Sequence, residues 1–184
     1  MKKKIIAGVC ALMICAGFVV FAPPTRLDPS LKDRAESSFA RYFPSAKRPG
    51  YIILIDYDLP VYKNRLWVID SKTGAIMIKS HVSHALKSGL VYADDFSNTP
   101  DSQKSCTGVF ATGEKYSGFF GYSMRIDGLE KGVNDKARER AIVFHPHLSP
   151  WSKGCFMTFP WTNRELIDLT SNNAMVFVNK TCRN

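Results

Sequence analysis

Histidine, tryptophan and cysteine are scarce in this chain: four, three and five of 184 residues. No internal repeat and no low-complexity tract occurs, which excludes a solenoid or repeat array and leaves room for one globular domain. No nucleic-acid-binding motif is present, and beyond the N-terminal lysines the basic residues are scattered, which argues against a nucleic-acid partner. The histidines offer two ligand-like spacings, His81 with His84 and His145 with His147. Yet no Asp or Glu stands where it would complete either set, so no metal centre is expected. Nothing implies a soluble cofactor.

What is present begins with a leader. Lys2, Lys3 and Lys4 precede an uncharged apolar run from Ile5 to Ala22, the order of a secretory signal. Val20-Phe21-Ala22 resembles a cleavage site, but Pro23 would hinder cleavage there, and the run approaches the length of a membrane span. A cleaved signal is the preferred reading of residues 1–22 and an uncleaved membrane tether the alternative. Either way the protein is exported, to the periplasm or cell envelope. Cys10 and Cys15 lack the small preceding residue of a lipoprotein signal.

Removing the leader lysines leaves 22 basic against 16 acidic residues, so the formal charge falls from +9 to +6. A moderately basic exported domain suits an anionic envelope polymer or membrane surface. Three cysteines remain outside the leader: Cys106, Cys155 and Cys182. In an oxidising compartment an odd number implies one pair and one free thiol. The expectation is a Cys106–Cys182 bridge with Cys155 free; two separate buried thiols are the alternative.

Residues 23–48 read as a helix and linker. Asp28-Pro29 is an N-cap with proline in the first turn, Leu31, Ala35, Phe39 and Tyr42 or Phe43 share a face, and Pro44 ends the helix. Residues 49–184 read as one mainly β domain, a sandwich with short peripheral helices. Tyr51 to Asp56, Arg65 to Asp70 and Ala75 to Val82 form antiparallel strands, the last two joined by a turn at Lys72-Thr73-Gly74. Asp94 to Ser105 is a polar loop. From Gly108 to Gly128, glycines punctuate aromatic segments, as in strands that turn beside a cleft. Asn134 to Arg140 is a charged helical turn in which Arg138 and Arg140 are either solvated or clamps for a substrate carboxylate. Thr162-Asn163-Arg164-Glu165 is a capping box opening a helix through Leu169, and Ala174 to Asn179 closes the sheet.

The chemistry concentrates between Ala141 and Cys155. Ala141-Ile142-Val143-Phe144 is a short apolar run that fits a buried strand and delivers His145 at its end. Pro146 restricts His145 to extended geometry, and Pro150 keeps the next segment in a loop. Cys155 follows Gly154, whose missing side chain leaves the neighbouring amides open to an oxyanion. A thiol that attacks an acyl carbon needs a base, donors where charge develops, and access; His145, this backbone and the loop supply them. A buried structural cysteine is the alternative.

Ser152-Lys153-Gly154-Cys155, preceded by the Ile142 to His145 strand, resembles the catalytic region of the L,D-transpeptidases, in their divergent branch with a Ser-any-Gly-Cys motif. The likeness extends through Phe96-Ser97-Asn98, the run Gly108 to Tyr116, and Gly121 to Glu130, and spans roughly residues 51–180. Two positions depart from the family pattern: Pro146 stands where a glycine usually follows the histidine, and Trp151 where an arginine commonly precedes the motif serine.

The resemblance implies an L,D-transpeptidase-type β-sandwich and a peptidoglycan L,D-transpeptidase that works through a cysteine thioester and is a carbapenem target. Its catalytic residues would be Cys155, His145, Gly154 and Ser152. His84, Ser97, Asn98, Tyr122, Arg138 and Trp151 are the substrate-binding candidates. Peptidoglycan stem peptides are the expected partners of a monomer. An L,D-carboxypeptidase or endopeptidase of the same fold, and a catalytically silent wall-binding protein, are the competing readings.

Overall fold

The computed structural model describes residues 25–44 and 48–181, and is built around strand β1, Tyr51–Asp56. Five of its six residues are buried, because the strand lies inside a sheet that is covered on both faces. Its side chains alternate as the pleat requires. Ile52 and Leu54 face helix α1 (Pro29–Tyr42), while Ile53 and Ile55 enter the main core.

The remaining elements follow in chain order. β2 is Leu66–Asp70, β3 Ile76–Ser80, β4 His84–Ala85, β5 Gly108–Gly118, β6 Gly121–Gly128, β7 Val143–Pro146, β8 Trp151–Ser152, β9 Phe156–Thr158, α2 Pro160–Thr170 and β10 Ala174–Asn179. Eight strands form one sheet in the order β3-β2-β1-β10-β5-β6-β7-β9, and β4 pairs with β8 in a separate parallel ribbon. The first three strands are antiparallel, as their pattern predicts. β10 was expected to close the sheet; instead it lies at the centre, parallel to β1 and antiparallel to β5. All six of its residues are buried, and only a central strand buries both faces.

The two edges of the sheet approach each other. After β3 the chain runs beside β9, where Ser83 N–H donates to Met157 O and Met157 N–H to Ser83 Oγ, both at 2.9 Å. This curl gives a mainly β fold its layers. The main core lies inside it, with Leu166 and Ile167 of α2. Leu31, Ala35 and Phe39 of α1 fill a second cluster against Trp67, Ile69, Met175 and Phe177.

α1 begins as its sequence dictates: Asp28 accepts from Ser30 N–H at 2.9 Å, and Pro29 pre-sets the first turn. α2 does not. Its N-cap is Phe159, directly ahead of Pro160-Trp161, and Thr162 lies inside the helix. Pro160 fixes the helical φ at the first position, so the chain enters the helix before the capping box at Thr162 can act. Among the described residues no helix is long and apolar enough to cross a membrane. The leader and Cys182 lie outside the described residues, and so does the expected Cys106–Cys182 bridge; Cys106 is buried and has no disulfide partner among the described residues.

Candidate active site

β7 and β9 are parallel neighbours, paired Phe144 with Phe156 and His145 with Met157. His145 is therefore carried at the end of β7, and Cys155 sits just before β9 begins. The parallel pairing is what brings the histidine and the thiol into the wall of one cavity of about 700 Å³. Phe120, Arg140, Trp151, Ser152 and Lys153 line it with them.

His145 is 4% exposed. Its Nδ1 lies 3.1 Å from Pro146 O, and a carbonyl only accepts, so Nδ1 carries the proton and Nε2 is left as the free base. Phe120, at the tip of the β5–β6 hairpin, stacks on the imidazole at 4.5 Å between centroids. Burial is the main cause that pushes the His145 pKa down, and His147 adds to it, while the bond to Pro146 opposes it. The imidazole is therefore neutral, and able to accept a proton, at pH values below the ordinary histidine range. Acylation of the thiol measured against pH is expected to keep its rate down to an acid limb below about 6.5, the unperturbed imidazole value. A limb above that value would show that His145 is not the base.

Cys155 Sγ donates to Ala141 O at 3.6 Å and accepts from Val143 N–H. Burial raises its pKa; the Val143 amide and Arg140 pull it down. The loop before it needs a glycine at one point: Gly154 has φ +128°, and a Cβ there would stand 3.3 Å from Lys104 O. Gly154 N–H donates to Ser152 Oγ at 3.1 Å. This corrects the expectation for Gly154, whose amide is occupied by the Ser152 hydroxyl and is not open to an oxyanion.

The other sequence candidates are dispersed. Trp151 forms part of the cavity wall, its indole N–H donating to Leu90 O at 2.8 Å. His84 does not reach the cavity. It is fully buried, accepts from Arg65 Nη2 at Nδ1 and donates to Gly89 O from Nε2, both at 2.8 Å. Burial is the largest cause that drives its pKa down to about 4, with the Arg65 charge adding to it. The role expected for His84 is corrected to a structural one: it remains neutral and locks the segment after β3.

Arg138 is not a free clamp, since it pairs with Asp127 and Glu114. Tyr122 holds Asp168 through its hydroxyl and lies under Lys115 and Arg164. Asn98 bridges Asp135 and Lys136 N–H, and Ser97 offers its carbonyl to Arg140. None of these four lines the cavity. Among the described residues no three His, Cys, Asp or Glu side chains gather as a metal set. Sequence reasoning named Arg140 only beside Arg138. The signal that separates the two, a run of neutral acceptors in the 97–104 loop, acts only once that loop folds over it.

A match to the L,D-transpeptidase catalytic domain covers residues 26–179. The chain belongs to this family. Its fold is similar to that of the helical cell shape determining protein Pgp2 of Campylobacter jejuni, with a TM-score of 0.54 and 12% identity, covering 85% of this chain and 58% of that one. A Bdellovibrio bacteriovorus protein is similar at a TM-score of 0.50 and 12% identity, over 77% of this chain and 51% of that one. Penicillin-binding protein 2B of Streptococcus pneumoniae is 28% identical over 155 residues, which make up 82% of this chain; the chain spans about a fifth of the length of that relative.

Proposed function

We propose that this domain is a peptidoglycan L,D-transpeptidase that acts on stem peptides in the cell envelope, exported by its N-terminal segment. The observation that carries the reading is the convergence of a free thiol and a neutral, hydrogen-bond-oriented imidazole in one cavity of a family member. His145 at the end of β7 works with Ser152, Gly154 and Cys155 of the following segment, and Trp151 shapes the acyl-donor wall.

The steps follow from the atoms available. His145 Nε2 takes the Cys155 proton, and the sulfur attacks the carbonyl after the diamino acid of a stem peptide. The Cys155 amide steadies the tetrahedral oxyanion, while Ser152 holds Gly154 in place. Collapse breaks the amide bond; the imidazolium returns its proton to the leaving D-amino acid, and a thioester remains. An amine of a second stem attacks the thioester, gives up its proton through His145 and releases the thiol. Water in place of the amine makes the same site a carboxypeptidase.

Incubating residues 23–184 with a tetrapeptide stem and excess amine acceptor tests the reading. Mass spectrometry is expected to show a product that has lost the terminal D-residue and gained the acceptor. Loss of the D-residue with no acceptor incorporated would establish the hydrolase, and no turnover by a folded protein would favour a silent wall-binding domain.

A further inference from the structure

Arg140 stands apart from the other guanidiniums on this side of the sheet. Arg125 and Arg138 are both paired to Glu114, and Arg138 to Asp127 as well. Arg140 makes no ion pair among the described residues. It donates to four neutral acceptors, Ser97 O, Ser102 Oγ (3.2 Å), Lys104 O and the buried Cys106 thiol. Neutral acceptors fix the position of the guanidinium and leave its charge unspent. The charge is also half-buried, where it is screened less than at the surface.

Its position is set against the nucleophile loop. A Cβ built on Gly154 would lie 3.6 Å from Arg140 Nη2, so the cation rests against the residue that precedes Cys155, and it lines the same cavity. The other titratable groups around the thiol are Tyr57 and Cys106 from the core side, His145 and His147 from β7 and its loop, and exposed Lys87 and Lys153 at the mouth. No carboxylate is among them. Arg140 is the half-buried permanent cation of the set, and Lys87 and Lys153 extend into solvent.

We propose that Arg140 is the positioning residue that makes Cys155 a nucleophile, its unneutralised guanidinium favouring the thiolate as it forms when His145 takes the proton. This rests on the reading of Cys155 as the nucleophile and assigns the charge that a buried thiol needs. Burial works against the thiolate, and the pull of Arg140 works for it. The same guanidinium staples the 97–104 loop over the site, so one side chain sets both the geometry and the charge of the cavity.

The test is the pH dependence of Cys155 alkylation by iodoacetamide, which needs no substrate and so succeeds or fails independently of the transpeptidase assay. Arg140→Gln is expected to move the alkylation midpoint up by about one pH unit, and Arg140→Lys to restore most of it. Loss of Arg140 also leaves Ser97 O and Lys104 O unpaired, so a second variant keeps it. Ser102→Asp retains the acceptor at that position and sets a carboxylate against Nη2, which neutralises the guanidinium without removing it. The same upward shift in folded Ser102→Asp supports the proposal. An unchanged midpoint in folded Ser102→Asp overturns it.

Discussion

Cys155→Ala is expected to abolish acyl transfer, with a loss of at least about a thousandfold in turnover, because no other group in the cavity can form the thioester. The alanine keeps the backbone before β9 and removes only the sulfur, whose hydrogen bonds to Ala141 and Val143 are weak ones. Folding is therefore expected to survive. Intact-mass spectrometry of residues 23–184 with a carbapenem checks this: one covalent adduct that maps to Cys155 in the parent, and none in the variant. An adduct of equal occupancy in folded Cys155→Ala would place the nucleophile elsewhere.

Phe144→Ala is expected to destabilise the fold by about 3–5 kcal/mol, the usual range for emptying a phenylalanine site in a core. Phe144 is fully buried and stacks on Phe156 at 5.1 Å, and Phe156 in turn meets Phe110 edge-on at 5.9 Å. These two rings are also the register pair that aligns β7 with β9. Each is the chain neighbour of a residue of the proposed catalytic pair, Phe144 of His145 and Phe156 of Cys155. The cavity left by the alanine therefore loosens the site together with the core. Urea unfolding at constant slope measures the loss, and a fall of less than about 1 kcal/mol would mean that the two strands are held in register by something other than this pair.

How much of this was legible in the chain depends on how local each signal is. The α1 cap at Asp28-Pro29 and the β2–β3 turn were readable because a few adjacent residues decide them. The helix after the site was readable in kind but not in its start, since Phe159-Pro160 acts before the box at Thr162 does. Cys155 and His145, the pair that the family motif points to, both line the cavity wall. The motif did not place the substrate candidates: Tyr122 and Arg138 satisfy their hydrogen bonds and charges with Asp168, Asp127 and Glu114, and His84 with Arg65. Those partners lie between 11 and 46 positions away in the chain, with no periodicity to announce them.

By itself, then, the sequence determined most local elements and singled out Cys155 and His145 as the candidate pair. Apolar period, caps and turn residues act over a few positions, and a Gly-Cys loop after a strand-borne histidine carries its chemistry in its composition. The tertiary structure alone decided that β7 and β9 run in parallel, that Pro146 O selects the Nδ1 proton, and that Arg140 and not Arg138 reaches the nucleophile loop. Each of these depends on which groups are buried against one another, and burial, which takes away water as the competing partner, is a property of the packed chain.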